Sequence, residues 1–545
     1  MNIKQINKYI TAILLLLVIP VFNSMAAVVS HTGTISAHTT WNNTDVHLIT
    51  GDVTVASGII LTIEPGTVVK FNVSRRLTIN GALDAQGTTQ DKIVFTSYRD
   101  DSEGGDTNAD GFSQGQAGDW NYLYFANTVA VTSTHIENII VKYAGSGNSG
   151  SIYISQTNIA INNSEISNGS SQGIYINQAS PSITNSTIED NAQNGIYVYY
   201  SGSPLIQNNS IRRNLHGVNV YLTATPTIDN NQVVDNEGWG LYFSHAYNVP
   251  VITNNTLTGN YRNAILPAYA VPSELDGNTL APNEINGLWI RGHNRTADLQ
   301  LPVLYAGTAH EINTYQIYGV LTMATGTTLT VDPGVVVKFV DNARLDINGI
   351  LTADGSAAQP IVFTSYKDDR HGGDFNLDGH ASIPANGNWH GINFLTAAPD
   401  DVSLMNHTIV QYGGGSTANI YVYDTDLTIS NSRIANSSKT GIHGYNSLLT
   451  LTNNEIFSNT ANGIYLYDTA GGETTITGGR IFANFDDGID LDYRSRATIS
   501  NAEIFGNVAA GLRIRSNNNQ SISAENNWWG AADGPSGGDF TGSGE

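Results

Sequence analysis

The stretch GIYINQASPSITNSTIEDNAQNGIYV, residues 173 to 198, contains one complete unit of a short internal repeat. Gly173, Gly195, Gly217 and Gly240 are spaced 22, 22 and 23 residues apart, and each begins a similar apolar run. Within one unit the runs GIYI, PSIT and STIE are separated by Asn, Gly and Ser clusters, which are typical of turns. The pattern therefore predicts three short strands in each unit.

Stacking the units places their apolar residues in three rows. Each strand is too short to be stable alone, but a coil that buries these side chains against its neighbours builds a solenoid core. Asn also recurs at one turn, tolerates left-handed backbone angles and can bond the same amide one coil away, so we expect an asparagine ladder there. The apolar rows are Ile174, Ile196, Val218 and Leu241; Ile183, Ile206, Ile228 and Ile252; and Ile188, Ile211, Val233 and Leu257, and the asparagine row is Asn163, Asn185, Asn208, Asn230 and Asn254.

The chain is also a duplication on a larger scale. LTIEPGTVVKF, from Leu61, returns as LTVDPGVVVKF, from Leu329, a shift of 268 residues. Short-period glycines recur in the second copy at Gly441, Gly463, Gly488 and Gly511. We predict a first β-helical half over residues 27–300 and a second over residues 301–545.

The first 26 residues read as a secretory signal peptide. Lys4 and Lys8 precede the apolar run ITAILLLLVIPVF, and Ser24 and Ala26 are small residues at the positions that a signal peptidase requires. A membrane anchor is the weaker alternative, because the run is short and contains a proline. We therefore expect a secreted, extracellular or cell-surface protein with no transmembrane segment after cleavage.

The coil pattern, the paired LTIEPGTVVKF and LTVDPGVVVKF segments and the closing NNWWGAADGPSG resemble secreted bacterial right-handed parallel β-helix repeat proteins. These proteins have a pectate-lyase-like architecture. The resemblance implies an all-β, right-handed parallel β-helix solenoid, duplicated as two halves in tandem. It implies no single activity, because this architecture serves lyases, hydrolases, epimerases, adhesins and binding proteins. The family pattern usually continues beyond GPSG, so a truncated C-terminus is expected.

Charge and composition limit the partners. The formal net charge of -23 would repel phosphate backbones and anionic lipid headgroups, which argues against nucleic acid and membrane surfaces. The chain contains no cysteine, so disulfides and thiolate metal sites are excluded. Cations are the better candidate partners, and the oligomeric state is left open.

Two acidic loops, residues 100–111 and 368–379, are candidate calcium sites. DTNADG and DFNLDG within them match the first half of an EF-hand-type loop, although alanine stands where the final glutamate would be. The candidate ligands are carboxylates and amides with no His or Cys among them, which favours Ca²⁺, and the alternative is a pair of solvated acidic turns. The candidate ligands are Asp100, Asp101, Asp106, Asn108 and Asp110, and Asp368, Asp369, Asp374, Asn376 and Asp378.

Outward positions of the strands carry a series of tyrosines. Tyrosine combines a flat apolar ring with a hydroxyl group, which suits sugars, so these residues are candidate carbohydrate-binding residues. The alternative is plain stabilisation of the sheet by stacked aromatic rings. The candidates are Tyr175, Tyr197, Tyr199 and Tyr221 in the first half and Tyr421, Tyr423, Tyr445, Tyr465 and Tyr467 in the second.

A cluster of charges near the C-terminus is the weak candidate for catalysis. Paired carboxylates beside basic groups could serve hydrolysis, or lyase chemistry assisted by calcium. The alternative is self-satisfying ion pairing between adjacent strands, Asp490 with Arg513 and Asp492 with Arg515. The cluster contains Asp487, Asp490, Asp492, Arg513, Arg515 and His443.

The sequence therefore predicts a secreted or cell-surface β-helix, calcium-stabilised, that binds extracellular polysaccharide and has no assured catalytic function. A polysaccharide lyase or glycoside hydrolase is the first alternative. A structural surface adhesin or stalk is the second.

Overall fold

A computed structural model describes residues 27–544, except residues 148, 245–249, 268–274, 276, 380, 401, 538–539 and 542. The predicted signal peptide, residues 1–26, lies outside the described residues. The described chain forms a right-handed parallel β-helix, as the sequence predicts. A single turn of 3-10 helix, Val131–Ser133, is the helical element of this part of the chain. No helix among the described residues is long and apolar enough to cross a membrane.

Each coil contributes parallel strands to three faces, as Ile174–Asn177, Ser182–Thr184 and Thr187–Glu189 illustrate. One face, which we call the shared sheet, runs through both halves. Its strands are Leu77–Ile79, Leu123–Phe125, Ile152–Ser155, Ile174–Asn177, Asn194–Tyr199, His216–Val220, Trp239–Phe243, Arg262–Pro267, Ile285–Arg291, Thr314–Tyr318, Val336–Phe339, Ile361–Ser365, Thr408–Gln411, Arg433–Ala435, Glu455–Phe457, Arg480–Phe482 and Glu503–Phe505.

The other two faces of the first half are sheets A and B. Two long strands, Ala27–Ile35 and Asp45–Val55, run through both sheet A and the shared sheet. Sheet A contains Val68–Phe71, Ile93–Ser97, Ile139–Lys142, Glu165–Ser167, Thr187–Glu189, Ser210–Arg212 and Gln232–Val234. Sheet B contains Thr39–Trp41, Ile60–Ile63, Ala82–Gln86, His135–Glu137, Ala160–Asn162, Ser182–Thr184, Leu205–Gln207, Thr227–Asp229 and Val251–Thr253.

The other two faces of the second half are sheets C and D. Sheet C contains Asn294–Arg295, Val320–Met323, Arg344–Ile347, Gly391–Phe394, Ala418–Tyr423, Thr440–Tyr445, Ile464–Tyr467, Ile489–Leu491 and Leu512–Ile514. Sheet D contains Leu299–Leu301, Thr328–Val331, Ile350–Asp354, Leu404–Asn406, Leu427–Ser430, Leu449–Thr452, Thr474–Thr477 and Ala497–Ser500. A small antiparallel pair, Ser536–Gly537 with Phe540–Thr541, follows.

The second copy is rotated by one face relative to the first. Val68–Phe71 lies in sheet A, whereas its equivalent after the shift of 268 residues, Val336–Phe339, lies in the shared sheet. Asn194–Tyr199 lies in the shared sheet, whereas the equivalent strand Ile464–Tyr467 lies in sheet C. Unbroken pairing of the shared sheet across the predicted boundary at residue 300 fixes this offset.

The core lies inside the coils, where the sequence predicts it. Ile174, Ile196 and Val218 are completely buried, and the residues that alternate with them, Tyr175 and Tyr197, are half-buried on the outside. This is the alternation that a strand requires. The other two apolar rows are buried to the same extent, so the predicted inward and outward assignment is confirmed.

The predicted asparagine row is confirmed between Asn208 and Asn230, but the continuous buried ladder lies one residue further along the chain. Asn208 and Asn230 have left-handed backbone angles, φ 59° and 53°, and Asn230 donates to Oδ1 of Asn208 at 2.7 Å, although both side chains are exposed. The left-handed residue directs its own side chain to solvent and the next side chain into the coil, so Asn209 donates to Oδ1 of Asn231 at 3.0 Å, and Asn231 donates to Asn255 at 2.9 Å. A second buried ladder, which the sequence reading missed, contains Asn191, Asn214, Asn236, Asn260 and Asn283.

Candidate functional site

The first acidic loop gathers three carboxylates. Asp101, Asp106 and Asp110 each place an oxygen within 4.8 Å of the other two. One oxygen of Asp106 accepts a hydrogen bond from the N–H of Gly111 at 3.1 Å, which closes the turn. The other oxygen of Asp106, one of Asp101 and the amide oxygen of Asn108 are buried without a hydrogen-bond partner in the described part of the chain. Buried oxygens without donors are costly, and a hard cation would satisfy all three.

The second acidic loop repeats this arrangement with Asp369, Asp374 and Asp378. One oxygen of Asp374 accepts a hydrogen bond from the N–H of Gly379 at 2.9 Å, as in the first loop. The other oxygen of Asp374 and the amide oxygen of Asn376 are again buried and have no hydrogen-bond partner among the described residues. The two loops therefore offer the same set of oxygen donors, one set in each copy.

Two of the predicted ligands have other roles. Both oxygens of Asp100 accept hydrogen bonds from hydroxyl groups, and one also pairs with Lys142 at 3.0 Å. One oxygen of Asp368 accepts hydrogen bonds from Thr364 at 2.7 Å and Gln411 at 2.8 Å. Neither aspartate belongs to the groups of three, and these contacts brace the base of each loop against the coils. The other oxygen of Asp368 is buried without a hydrogen-bond partner in the described part of the chain, so Asp368 also offers one donor oxygen.

Buried lysines under the two loops were missed by the sequence reading. Lys70 and Lys338 are completely buried, although lysine in a strand interior is rarely so. Lys70 donates to the carbonyl of Gly105 at 2.5 Å, and Lys338 donates to the carbonyls of Asp368, at 3.1 Å, and Gly373. Burial lowers the pKa of Lys338 to about 8. The signal was present, since a lysine interrupts the apolar run VVKF in both copies.

The first tyrosine row lies on the shared sheet. Ring centroids are 4.8 Å apart between Tyr153 and Tyr175 and 5.4 Å apart between Tyr175 and Tyr197. Beside them Tyr199 stacks on Tyr221 at 5.3 Å and an interplanar angle of 9°. Because the ring faces cover one another, the surface of the row consists of ring edges and hydroxyl groups.

The second tyrosine row lies on sheet C, one face away from the first. Tyr423, Tyr445 and Tyr467 stack with centroid separations of 5.2 and 5.0 Å. Tyr421 and Tyr465 flank His443 at 5.0 and 4.8 Å. Burial among these rings lowers the pKa of His443 to about 4, so the imidazole is neutral at physiological pH.

The charged cluster next to the second tyrosine row pairs differently from the prediction. Arg515 contacts Asp490 at 2.6 Å and Asp492 at 3.4 Å, so the expected Asp492–Arg515 pair is present. The expected pairing of Asp490 with Arg513 is wrong, although the two residues are aligned in the sheet. Arg513 instead contacts Asp487 at 3.0 Å, because Asp487 lies in the turn that precedes the strand and within reach of the long arginine side chain.

The environments of these carboxylates push their pKa values apart. Burial raises the pKa of Asp487 to about 6, while Arg513 acts in the opposite direction. Burial also acts to raise the pKa of Asp492, but hydrogen bonds from the Tyr493 N–H, Asn517 and Tyr465 outweigh it and keep that pKa low. A carboxyl whose pKa is raised toward neutral, close to a carboxyl whose pKa is lowered, is an arrangement that acid–base catalysts use.

Comparison with solved structures gives two weak similarities. The chain is similar to two solved structures of the PL6 family alginate lyase AlyGC: the enzyme, with 9% identity and a TM-score of 0.12, and an arginine-to-alanine mutant, with 8% identity and a TM-score of 0.16. Each alignment covers 92% of this chain and 97% of the lyase. Scores this low support neither a shared activity nor a shared substrate. No curated protein matches the chain.

The family model described as "right handed beta helix region" matches residues 122–297 and 391–535, which together are more than half of the chain. Both segments coincide with the parallel coils on either side of the rotation between the copies. The chain belongs to the right-handed β-helix family.

Proposed function

We propose that the protein is a secreted or cell-surface β-helix that binds extracellular polysaccharide along the first tyrosine row and is stabilised by Ca²⁺ in its two acidic loops. The observation that carries the proposal is the unbroken stack from Tyr153 through Tyr175 to Tyr197. Its hydroxyl groups recur once per coil, about 4.8 Å apart. A polymer that repeats its own hydroxyl groups can bond to several of them at once.

Removal of the hydroxyl groups alone tests this function. The double variant Tyr175→Phe and Tyr197→Phe keeps the stacked rings and deletes the hydrogen bonds. We expect weaker retention in affinity gels that contain acidic or neutral polysaccharides, with unchanged circular dichroism. Tyr143→Phe, outside the row, is the matched control. Equal retention of the double variant and the control would leave the row as a sheet stabiliser.

Calcium is supported by the buried oxygens that lack hydrogen-bond partners in both loops. The double variant Asp106→Asn and Asp374→Asn can keep the turn hydrogen bonds to Gly111 and Gly379 while removing two ligand charges. We expect Ca²⁺ to raise the thermal midpoint of the parent by mass action and to have much less effect on the variant. Asp91→Asn, at an exposed site, is the control. A parent midpoint that is the same in Ca²⁺ and in chelator would refute the calcium proposal.

A second candidate function, polysaccharide cleavage, is favoured by one observation, the raised pKa of Asp487 beside ionised neighbours. Asp487 is completely buried and paired with Arg513, so this function requires the ion pair to open on substrate binding; near pH 6 the carboxyl would then donate a proton to a leaving oxygen while Arg513 binds the anionic substrate. Asp487→Asn should then abolish release of reducing ends or unsaturated uronates and leave binding intact. If the parent releases no product from uronate-containing or neutral polysaccharides, the enzyme proposal fails. If it also retains no polysaccharide, an adhesin or stalk is the remaining function.

A further inference from the structure

The first tyrosine row leads into a cleft at the junction of the two copies. The outward positions that pair along the shared sheet continue from Tyr197 through Asn219 and Tyr242 to Trp289 and Gln316. Gln316 lines an open cleft of about 360 Å³, a volume within the range of small-ligand sites. A polymer lying along the row therefore meets this cleft at its end.

The second acidic loop forms one wall of the cleft. Phe375 of this loop is 3% exposed and packs on Trp289 at 5.1 Å, in a cluster that also includes Trp239. Gly287 permits this contact, because a Cβ there would lie only 2.2 Å from the phenyl ring. The first loop carries Thr107 at the equivalent position, so it has no such anchor. The cleft is consequently a product of the junction, since the described first loop supplies no equivalent aromatic wall.

Arg262 supplies a fixed positive charge to the cleft. Its guanidinium carbon lies 5.0 Å from the ring centroid of Trp239, 5.1 Å from Tyr261 and 5.4 Å from Trp289. Its buried Nε has no hydrogen-bond partner, and Arg262 takes part in no ion pair among the described residues. In a protein with a net charge of -23, an arginine that is held by rings and not by carboxylates is available for an anion.

The remaining polar groups of the cleft complement this charge. Asp341 is neutralised by Lys367, 3.1 Å away, so it does not cancel Arg262. Gln316 is 2% exposed, and its Oε1 has no hydrogen-bond partner in the described part of the chain. Tyr318 and Tyr366 add aromatic surface. The cleft thus offers a cation, a hydrogen-bond acceptor and aromatic surface. A complementary ligand would bring an anionic group, a hydrogen-bond donor and an apolar ring face.

We propose that the junction cleft binds a carboxylate-bearing sugar unit, with Arg262 pairing with the carboxylate, Gln316 accepting a hydrogen bond from a ring hydroxyl, and the tyrosines contacting the ring. Planar guanidinium groups bind carboxylates through two parallel hydrogen bonds. This site would add detail to the proposed polysaccharide function. It rests on that function in one respect, namely that the bound sugar unit is the end of a longer chain. Because Asn376 brings the second acidic loop to the rim, Ca²⁺ in that loop would reduce repulsion of the carboxylate.

Two simple glycosides test the cleft. Methyl β-glucuronide and methyl β-glucoside share their ring hydroxyls and differ in that the first carries a carboxylate. We expect the parent, titrated in saturating Ca²⁺ and followed by ligand-observed NMR, to bind the glucuronide about tenfold more tightly. Arg262→Gln should remove this preference. Arg433→Gln, which deletes an exposed charge paired with Glu455 on the same sheet, should keep it.

A second variant covers the case in which Arg262→Gln does not fold. Gln316→Leu should weaken binding of both glycosides without loss of stability, because it removes a buried acceptor that has no partner. Equal affinity of the parent for both glycosides, or full preference in Arg262→Gln, would overturn the proposal. The double variant Tyr175→Phe and Tyr197→Phe should still bind glucuronide but lose polysaccharide retention. This result would support the junction cleft and the first tyrosine row as separate sites. If the parent binds glucuronide but retains no polysaccharide, the cleft proposal is supported and the proposed polysaccharide function is refuted.

Discussion

Replacement of Asp487 with asparagine is expected to stabilise the protein at neutral pH. The side chain is completely buried, neither carboxylate oxygen has a hydrogen bond in the described part of the chain, and Arg513 at 3.0 Å is its ion-pair partner. Its pKa is raised from 3.8 to about 6. The unfolded chain therefore ionises this group at lower pH than the folded chain, and the folded state loses stability as pH rises from about 4 through 6.

The size of the effect follows from the pKa difference. About two pKa units correspond to roughly 3 kcal/mol, which is an upper limit because the substitution also removes the ion-pair partner of Arg513. We expect Asp487→Asn to gain about 1–3 kcal/mol at pH 7.5 and almost nothing at pH 4. Solenoids open locally, so amide hydrogen exchange of Ile489–Leu491 is the suitable measurement.

A neighbouring carboxylate is the matched control. The pKa of Asp492 is lowered, because hydrogen bonds outweigh its burial, so its charge stabilises the folded state above pH 4 and this contribution is lost in acid. Asp492→Asn should therefore destabilise the same strand at pH 7.5. If Asp487→Asn also destabilises it, and does so equally at both pH values, the buried carboxylate is a required partner of Arg513 and the reasoning is refuted.

Three further predictions concern the coils. Ile196→Ala should cost about 2–5 kcal/mol by leaving a core cavity, whereas Tyr197→Ala on the outer face should change stability by about 1 kcal/mol or less, as urea denaturation will show. Stability should fall as pH drops from 6.5 to about 4, because in this interval His443 is protonated in the unfolded chain but stays neutral in the folded chain. His443→Tyr should therefore reduce the slope of the thermal midpoint against pH over that interval. Asn231→Ala should cost about 1–3 kcal/mol, because it leaves buried polar groups of the ladder without their hydrogen-bond partners. Asn230→Gly suits the left-handed backbone angle and removes only an exposed hydrogen bond to Asn208, so it should be nearly neutral in the same urea experiment.

The regular part of the fold could be predicted because one physical constraint repeats in every unit. Burial of one side of each strand fixes which residues face inward, so the period of about 22 residues was enough to place Ile196 inside and Tyr197 outside. The predicted position of the buried asparagine ladder was one residue too early. The period shows that a turn recurs, but it does not show which way each side chain of the turn points.

The candidate sites depend on features that a period does not contain. The acidic loops were found because their oxygen donors lie within a few residues of one another in sequence, but Lys338 beneath the second loop comes from a distant strand. The actual partner of Arg513 depends on the reach of its side chain. The junction cleft depends on the rotation of the second copy, which brings Phe375 onto Trp289, and no local pattern reports that angle.

The one-face rotation between the copies also limits what a bound polymer can do. The two tyrosine rows point in different directions, so a straight glycan that lies on the shared sheet cannot continue onto sheet C. If both rows bind, the protein is bivalent, and the two rows will engage two strands of a matrix more easily than one. Each molecule would then act as a cross-link, and its effect on a polysaccharide solution would be measured as viscosity or gelation, properties that depend on valency as well as on affinity.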